Sequence, residues 1–170
     1  VWMALLVTSS CSFGRTIPFS SSSCEIMAKT MTYSDHAVEI AKRLIQNGAD
    51  IVTDTNMALA GVNKKELAKY GGEAHCFMAE EEVAKIAKER GVTRATVSME
   101  KAAQIEKPVI FAIGNAPTAL IELYEMIQSG SYRPAFIIGV PVGFVNVEAA
   151  KDLILKTDVP LFQSFPVAHD

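Results

Sequence analysis

The sequence predicts an α/β domain built on a mostly parallel sheet, a Rossmann-like three-layer sandwich. Two observations carry this. Residues 108–113 (PVIFAI) and 134–140 (PAFIIGV) are near-continuous apolar runs, as central strands covered on both faces require. Helical patterns alternate with such runs, which selects crossover connections between parallel strands. The regular part extends from about Ser34 to Gln163. Residues 1–30 read as an atypical segment, 31–163 as the domain and 164–170 as a tail.

Ser34 suits an N-cap, and Ala37, Val38, Ala41, Leu44 and Ile45 fall on one helical face. Asn47-Gly48 stops that helix. Residues 50–53 (DIVT) read as a short buried strand, because their apolar members are β-branched and polar residues bound them. Lys64 to Tyr70 is a short helix ended by Gly71-Gly72, and His75 to Met78 a short strand. Glu80 to Arg90 is a helix with three acids in its first turn, where the dipole favours them. Val83, Ile86 and Ala87 form its apolar face and Gly91 closes it. Thr93 caps a helix running to about Ile105. After the strand at 108–113, Pro117 opens a helix to Gln128 with Leu120, Leu123, Tyr124 and Ile127 as its buried stripe. After the strand at 134–140, Asn146 caps a helix whose core side is Ala149, Ala150, Leu153 and Ile154. Val159 to Phe162 is the last strand.

The bulk numbers narrow the function. A chain of 170 residues, 49% hydrophobic and 21% charged, is globular rather than disordered. A net charge of −3 advertises no nucleic-acid partner, and no apolar stretch approaches the length of about 20 residues that spans a bilayer. Cys11, Cys24 and Cys76 are scattered, with neither a disulfide framework nor metal-ligand spacing, so a reduced cytoplasmic setting is expected. The chain starts at Val1 and carries a serine run at Ser20 to Ser23; the short apolar stretch before it lacks the positive region of an export signal. That end reads as truncated or altered.

In such sheets ligands bind beyond the carboxyl ends of the strands. Three loops occupy those ends: Asp54-Thr55-Asn56-Met57, Gly114-Asn115-Ala116-Pro117-Thr118 and Pro141-Val142-Gly143-Phe144. In the second, Gly114 permits a sharp turn, and the following helix aims free N–H groups above the sheet. Thr118 adds a hydroxyl and Asn115 an amide. The loop is either an ordinary strand-to-helix turn or an anion cradle. Neither a dinucleotide fingerprint nor a P-loop is present. Arg94, after Thr93 at a helix start, is placed to meet a carboxylate bidentately, although a solvated surface arginine is the commoner reading of such a residue. His36, His75 and His169 have no Asp or Ser partner by spacing, so a catalytic triad is unsupported.

These loops resemble the precorrin-8X (cobalt-precorrin-8) methylmutases of cobalamin biosynthesis. The resemblance covers Lys29 to about Pro160, through GADIVTDTNMALAGVNKKEL (48–67), GGEAHCFMAEEEVA (71–84), GVTRATVSMEKAA (91–103), AIGNAPTALIELYEMI (112–127) and PAFIIGVPVGFVNVEAAKDLI (134–154). It implies an isomerase that moves a methyl group from C11 to C12 of a corrin-type macrocycle, giving hydrogenobyrinate or its cobalt counterpart, cobyrinate. It implies no redox cofactor, no methyl donor and no protein-bound metal. It also implies a homodimer with active sites near the subunit interface. The substrate-binding residues expected on this basis are Asp54, Thr55, Asn56, Met57, Thr93, Arg94, Gly114, Asn115, Pro117, Thr118, Gly143 and Phe144, with Arg94 now a ligand for a substrate carboxylate. Two features depart from the family. Its Arg-x-x-His histidine, assigned to proton chemistry, has no counterpart here, and its position falls near Ser20. Its basic, glycine-rich C-terminal stretch is replaced by Phe162-Gln163-Ser164-Phe165-Pro166. A non-catalytic corrinoid-binding member is therefore a second reading, and a Rossmann-like enzyme using a nucleotide or methyl donor a third. The choice between cobalt-free and cobalt-containing substrate stays open.

Overall fold

The computed structural model describes residues 31–141 and 147–164. Among these there are six strands and seven helices, in the order β1 (Met31–Tyr33), α1 (Ala37–Gln46), β2 (Asp50–Thr53), α2 (Asn56–Gly61), α3 (Lys64–Lys69), β3 (Ala74–His75), α4 (Glu81–Arg90), α5 (Arg94–Ala102), β4 (Val109–Ile113), α6 (Pro117–Ser129), β5 (Phe136–Gly139), α7 (Val147–Leu155) and β6 (Leu161–Ser164). The sheet order is β1-β6-β5-β4-β2-β3. All neighbours pair in parallel except β1, which runs antiparallel to β6 with Met31 opposite Ser164.

The three layers follow from the period of two along each strand. In β4, Val109, Phe111 and Ile113 face a core shared with Ala95 and Met99 of α5, Leu120 and Leu123 of α6, and Ala150 and Ile154 of α7. Ile110 and Ala112 face the opposite core, made with Ala37, Ala41 and Ile45 of α1 and Leu67 of α3. All five β4 residues are buried, which is why this strand reads as an unbroken apolar run. Burying one such side chain is worth roughly 1.5–3 kcal/mol. Helix α4 packs outside α5 through Val83, Ala87 and Val97. Arg90 and Glu100 form a two-pronged ion pair between these helices, and Lys101 reaches Glu80 and Glu82 across the Phe77 ring. These groups are partly solvated, so the pairs orient α4 more than they stabilise it.

Several local expectations need correction. Ser34 does not cap α1; its hydroxyl accepts the Leu161 N–H at 3.0 Å, and β6 draws the chain there into the unforeseen edge strand β1. The residue before α1 is His36, exposed and left-handed at φ 56°. Val38 is exposed and Ile40 packs inward instead, because Ala37, Ala41 and Ile45 set the buried stripe. The strand expected at 75–78 is Ala74–His75, since β2 offers it only two register partners. Asn56 and Met57 lie not in a loop but in the first turn of α2, which Thr55 caps by accepting the Ala58 N–H at 3.1 Å. Helix α5 stops at Ala102, short of Ile105, and β6 begins at Leu161 rather than Val159. In α7 the core side is Val147, Ala150, Lys151 and Ile154, while Ala149 is exposed. Asn146, Gly143, Phe144 and Ser20 lie outside the described residues.

At the amino ends of the strands a buried acid closes the sheet. Asp50 accepts the Glu73 N–H at 2.8 Å, and the Lys107 ammonium lies 3.3 Å from it. His75 Nε2 is 3.5 Å from its other oxygen, and the His75 ring stacks on Phe77. This group lies at the opposite end of the sheet from the loops considered next.

Candidate functional site

The strand order reverses between β2 and β4. From β2 the chain passes through α2 and α3 to β3 on one side, then through α4 and α5 to β4 on the other. A crevice opens outside the carboxyl ends at such a point. Asp54 and the Gly114 loop occupy it.

Asp54 follows the last residue of β2 and is 1% exposed. One carboxylate oxygen accepts the Gly114 N–H at 3.0 Å, and the other accepts those of Asn115 at 2.7 Å and Ala116 at 2.6 Å. The short distances suit charge-assisted bonds. Thr53, beneath it and fully buried, directs its hydroxyl to the Thr55 carbonyl at 3.1 Å, with the His75 carbonyl 3.3 Å away. The ends of β2, β3 and β4 are thereby tied together.

This overturns one expectation. The N–H groups of the Gly114 loop are not free for a ligand, because the protein's own carboxylate holds them. Asp54 is accordingly not an exposed ligand-binding group. The sequence did carry a signal for this. Helix α6 begins Ala116-Pro117, and Ala116 supplies no side-chain cap. An uncapped start needs an acceptor from elsewhere. Gly114 is also not forced into a left-handed turn, and a Cβ there would meet only Asp54 Oδ1, at 3.9 Å.

Around this anchored loop the remaining groups are outward-facing. Gly114 and Asn115 are exposed, and Pro117 and Thr118 half-buried. Thr93 caps α5 by accepting the Thr96 N–H at 3.1 Å, and its hydroxyl also lies 3.3 Å from that of Thr118. That contact brings the start of α5 beside the start of α6, a proximity the 25-residue separation hid. Arg94, the first residue of α5, is exposed, and among the described residues its guanidinium makes no ion pair. Asn56 is exposed, and Met57, at 84% exposure, projects from α2. The structure thus places Asp54, Gly114, Asn115, Pro117, Thr118 and Thr93 together at the carboxyl ends of β2 and β4, with Arg94 next to Thr93 in the chain, Asn56 and Met57 in the first turn of α2 and Thr55 at its cap.

Sequence reasoning missed two buried polar residues, Lys151 on α7 and Gln163 on β6. The Lys151 ammonium bonds the Ser164 carbonyl, and burial pushes its pKa down against the opposing pull of Glu148. Gln163 donates to the Lys151 carbonyl at 3.2 Å while its own oxygen is buried with no partner among the described residues. A glutamine at an inward position of a strand was the available signal. No described helix is long and apolar enough to cross a membrane, and the described residues hold no cluster of three or more metal-ligating side chains.

Comparison with known proteins agrees with the geometry. The family model described as precorrin-8X methylmutase matches residues 18–163. The chain is 38% identical over 134 residues to the cobalt-precorrin-8 methylmutase of Priestia megaterium, covering 79% of this chain and 60% of that protein. It is 34% identical over 128 residues to the precorrin-8X methylmutase of a Sinorhizobium species, covering 75% of this chain and 60% of that one. The solved structure of the precorrin-8x methyl mutase from Thermus thermophilus superposes with a TM-score of 0.75 at 33% identity, over 85% of this chain and 71% of that one. The aligned part therefore spans about 60% of the length of these curated relatives. With the matched region taking in β1 to β5, β6 as far as Gln163 and the loops that follow β2, β4 and β5, the chain belongs to the precorrin-8X methylmutase family.

Proposed function

We propose that this chain serves cobalamin biosynthesis as an isomerase, binding precorrin-8 or its cobalt form and moving a methyl group from C11 to C12. The observation that supports this reading most is the character of the crevice. It offers an exposed guanidinium that makes no ion pair among the described residues, an amide, two hydroxyls and an apolar Met57. A macrocycle with several carboxylate arms needs these groups. Arg94 would grip one arm bidentately, Asn115 and Thr118 would accept or donate to a second, and Met57 would lie against the ring. The migration is intramolecular: the C11–methyl bond breaks as the C12–methyl bond forms. The crevice need only hold the ring in the reactive protonation state. Gly143 and Phe144, on the loop after β5, are proposed as further substrate contacts.

The proposal extends to a homodimer in the cytoplasm. Helix α2 has no buried residue, and a second copy would cover its apolar side chains beside the crevice. Light scattering during size-exclusion chromatography checks this.

The position the family uses for proton transfer falls near Ser20, which favours a second reading: corrinoid binding without turnover. A serine hydroxyl cannot serve as a general acid or base near neutral pH as an imidazole can. Two measurements separate the readings. Incubation with precorrin-8 and with cobalt-precorrin-8, followed by absorption spectra and NMR of the methyl position, reports turnover. Fluorescence titration with hydrogenobyrinate reports binding. Tight binding with no methyl shift supports the second reading, and no binding of either substrate or product sinks both. Arg94→Ala should weaken hydrogenobyrinate binding by about 30-fold, the worth of roughly 2 kcal/mol for one charge-assisted pair.

A further inference from the structure

We propose that Asp54 is a built-in anion of this site: it fills the slot at the strand-order reversal, fixes the loop that presents Asn115 and Thr118, and keeps ligand carboxylates out of that slot. The inference rests on the corrinoid reading only for what the loop presents its groups to.

The slot has the features of an anion site. It lies at the carboxyl ends of the paired strands β2 and β4, where the connections leaving them part, three consecutive N–H groups converge on it, and a 13-residue helix points its positive end at it. A carboxylate arm entering the crevice would be expected to seat there. Asp54 is already there, donated by a strand 60 to 62 residues away in sequence. At 1% exposure it does not swing out to make room. Its charge is met by the three N–H groups and the helix dipole, so it does not need a cation, and it leaves Arg94 available for the ligand. Among the described residues, no other side chain bonds the backbone of Gly114, Asn115 or Ala116. Ala116 provides no cap and Pro117 no N–H. The direction in which the Asn115 side chain leaves the backbone is thus set by a residue that never touches the ligand. Asp54 is a positioning residue, and the ligand's arms are assigned to Arg94, Asn115, Thr93 and Thr118.

Chemical rescue tests this. Asp54→Ala empties the slot, and formate is small enough to refill it. Three quantities are read on wild type, D54A and D54N: amide exchange at Gly114, Asn115 and Ala116 by NMR, the dissociation constant for hydrogenobyrinate, and both again in formate. In D54A the three amides should exchange roughly 30-fold faster or more while the strand amides stay protected, because the lost bonds are charge-assisted. Hydrogenobyrinate binding should weaken, and formate should restore both. D54N keeps an oxygen for Asn115 and Ala116, so only the Gly114 amide should become labile. Unchanged protection of all three amides in D54A overturns the assignment, as does wild-type hydrogenobyrinate affinity in D54A or a loss that formate does not reverse. If D54A does not fold, the Gly114 amide of D54N decides: continued protection overturns the proposal. Wild-type protein that ignores hydrogenobyrinate sinks the functional reading, while the exchange and formate results still decide whether Asp54 fills an anion slot.

Discussion

Gly72 and Gly114 sit in two of the motifs that identify this chain, yet the structure assigns them opposite tolerances. At Gly72 a Cβ would lie 2.4 Å from the Ala49 carbonyl oxygen and 2.9 Å from Leu67 Cδ1. The first contact is with backbone, and Ala49 is fully buried immediately before β2. The overlap is about 1 Å against a normal carbon–oxygen separation, and the carbonyl cannot turn away as the Leu67 side chain could. Overpacking of this kind costs about 1–3 kcal/mol, and the backbone partner argues for the upper part of that range. For a domain of this size each kcal/mol lowers Tm by about 2–4 °C, so Gly72→Ala should melt roughly 4–12 °C lower. At Gly114 a Cβ meets only Asp54 Oδ1 at 3.9 Å, an ordinary contact, and φ is not positive. Gly114→Ala also restricts the unfolded chain, which stabilises by about 0.4–1 kcal/mol. Urea melts followed by circular dichroism compare the two variants with wild type. A Gly72→Ala protein within 0.5 kcal/mol of wild type (the scatter about neutral of ordinary surface changes) would refute the reasoning. So would a Gly114→Ala protein as damaged as the other.

Other outcomes follow from the same packing. Leu123→Ala, a fully buried α6 residue in the larger core, should cost about 2–5 kcal/mol in the same melts, and a smaller loss would mean that α6 collapses into the cavity. Gln163→Met removes a buried oxygen that has no partner among the described residues, a relief of about 1–3 kcal/mol, and one hydrogen bond worth about 0.5–1.5 kcal/mol. The urea midpoint should rise, and a fall would show that the bond outweighs the orphan. Burial, then the charges of Glu100 and Glu125, raise the Glu122 pKa above 4.5 against the opposing pull of Arg90. The folded state therefore binds more protons than the unfolded state between 4.5 and that raised value, and stability falls as pH rises through the window. Glu122→Gln should be more stable than wild type at neutral pH and lose that advantage below 4.5; an advantage independent of pH would rule this origin out.

The sheet was legible because β4 and β5 are buried on both faces, and such strands need no pattern beyond continuous apolar residues. Helix α4 was equally plain from its acids and apolar face. What escaped depended on partners distant in sequence. Three residues at 31–33 have no period to detect, and only β6 makes them a strand. The serine after them looks like a cap until Leu161 takes its hydroxyl. At the site, the strand-end position of each loop was readable from topology, but the occupant of the slot was not. Asp54 carries no local mark that distinguishes a ligand-facing acid from a buried anchor, and its three bonds all cross more than 59 residues. Thr93 and Thr118 were singled out separately, and only the packing of α5 beside α6 makes them neighbours.

The antiparallel pairing of β1 with β6 has a kinetic consequence. Of the described elements, β1 is the first to leave the ribosome and its one strand partner is the last; the Leu161–Ser34 bond closes a span of 127 residues. Contacts of such range are formed late, since loop closure must precede any gain from pairing. During synthesis the parallel strands β2 to β5 can assemble while β1 waits with its backbone unpaired, open to other chains. Registration of the β1–β6 edge should be the slowest step of refolding, and β1 the segment through which nascent chains aggregate.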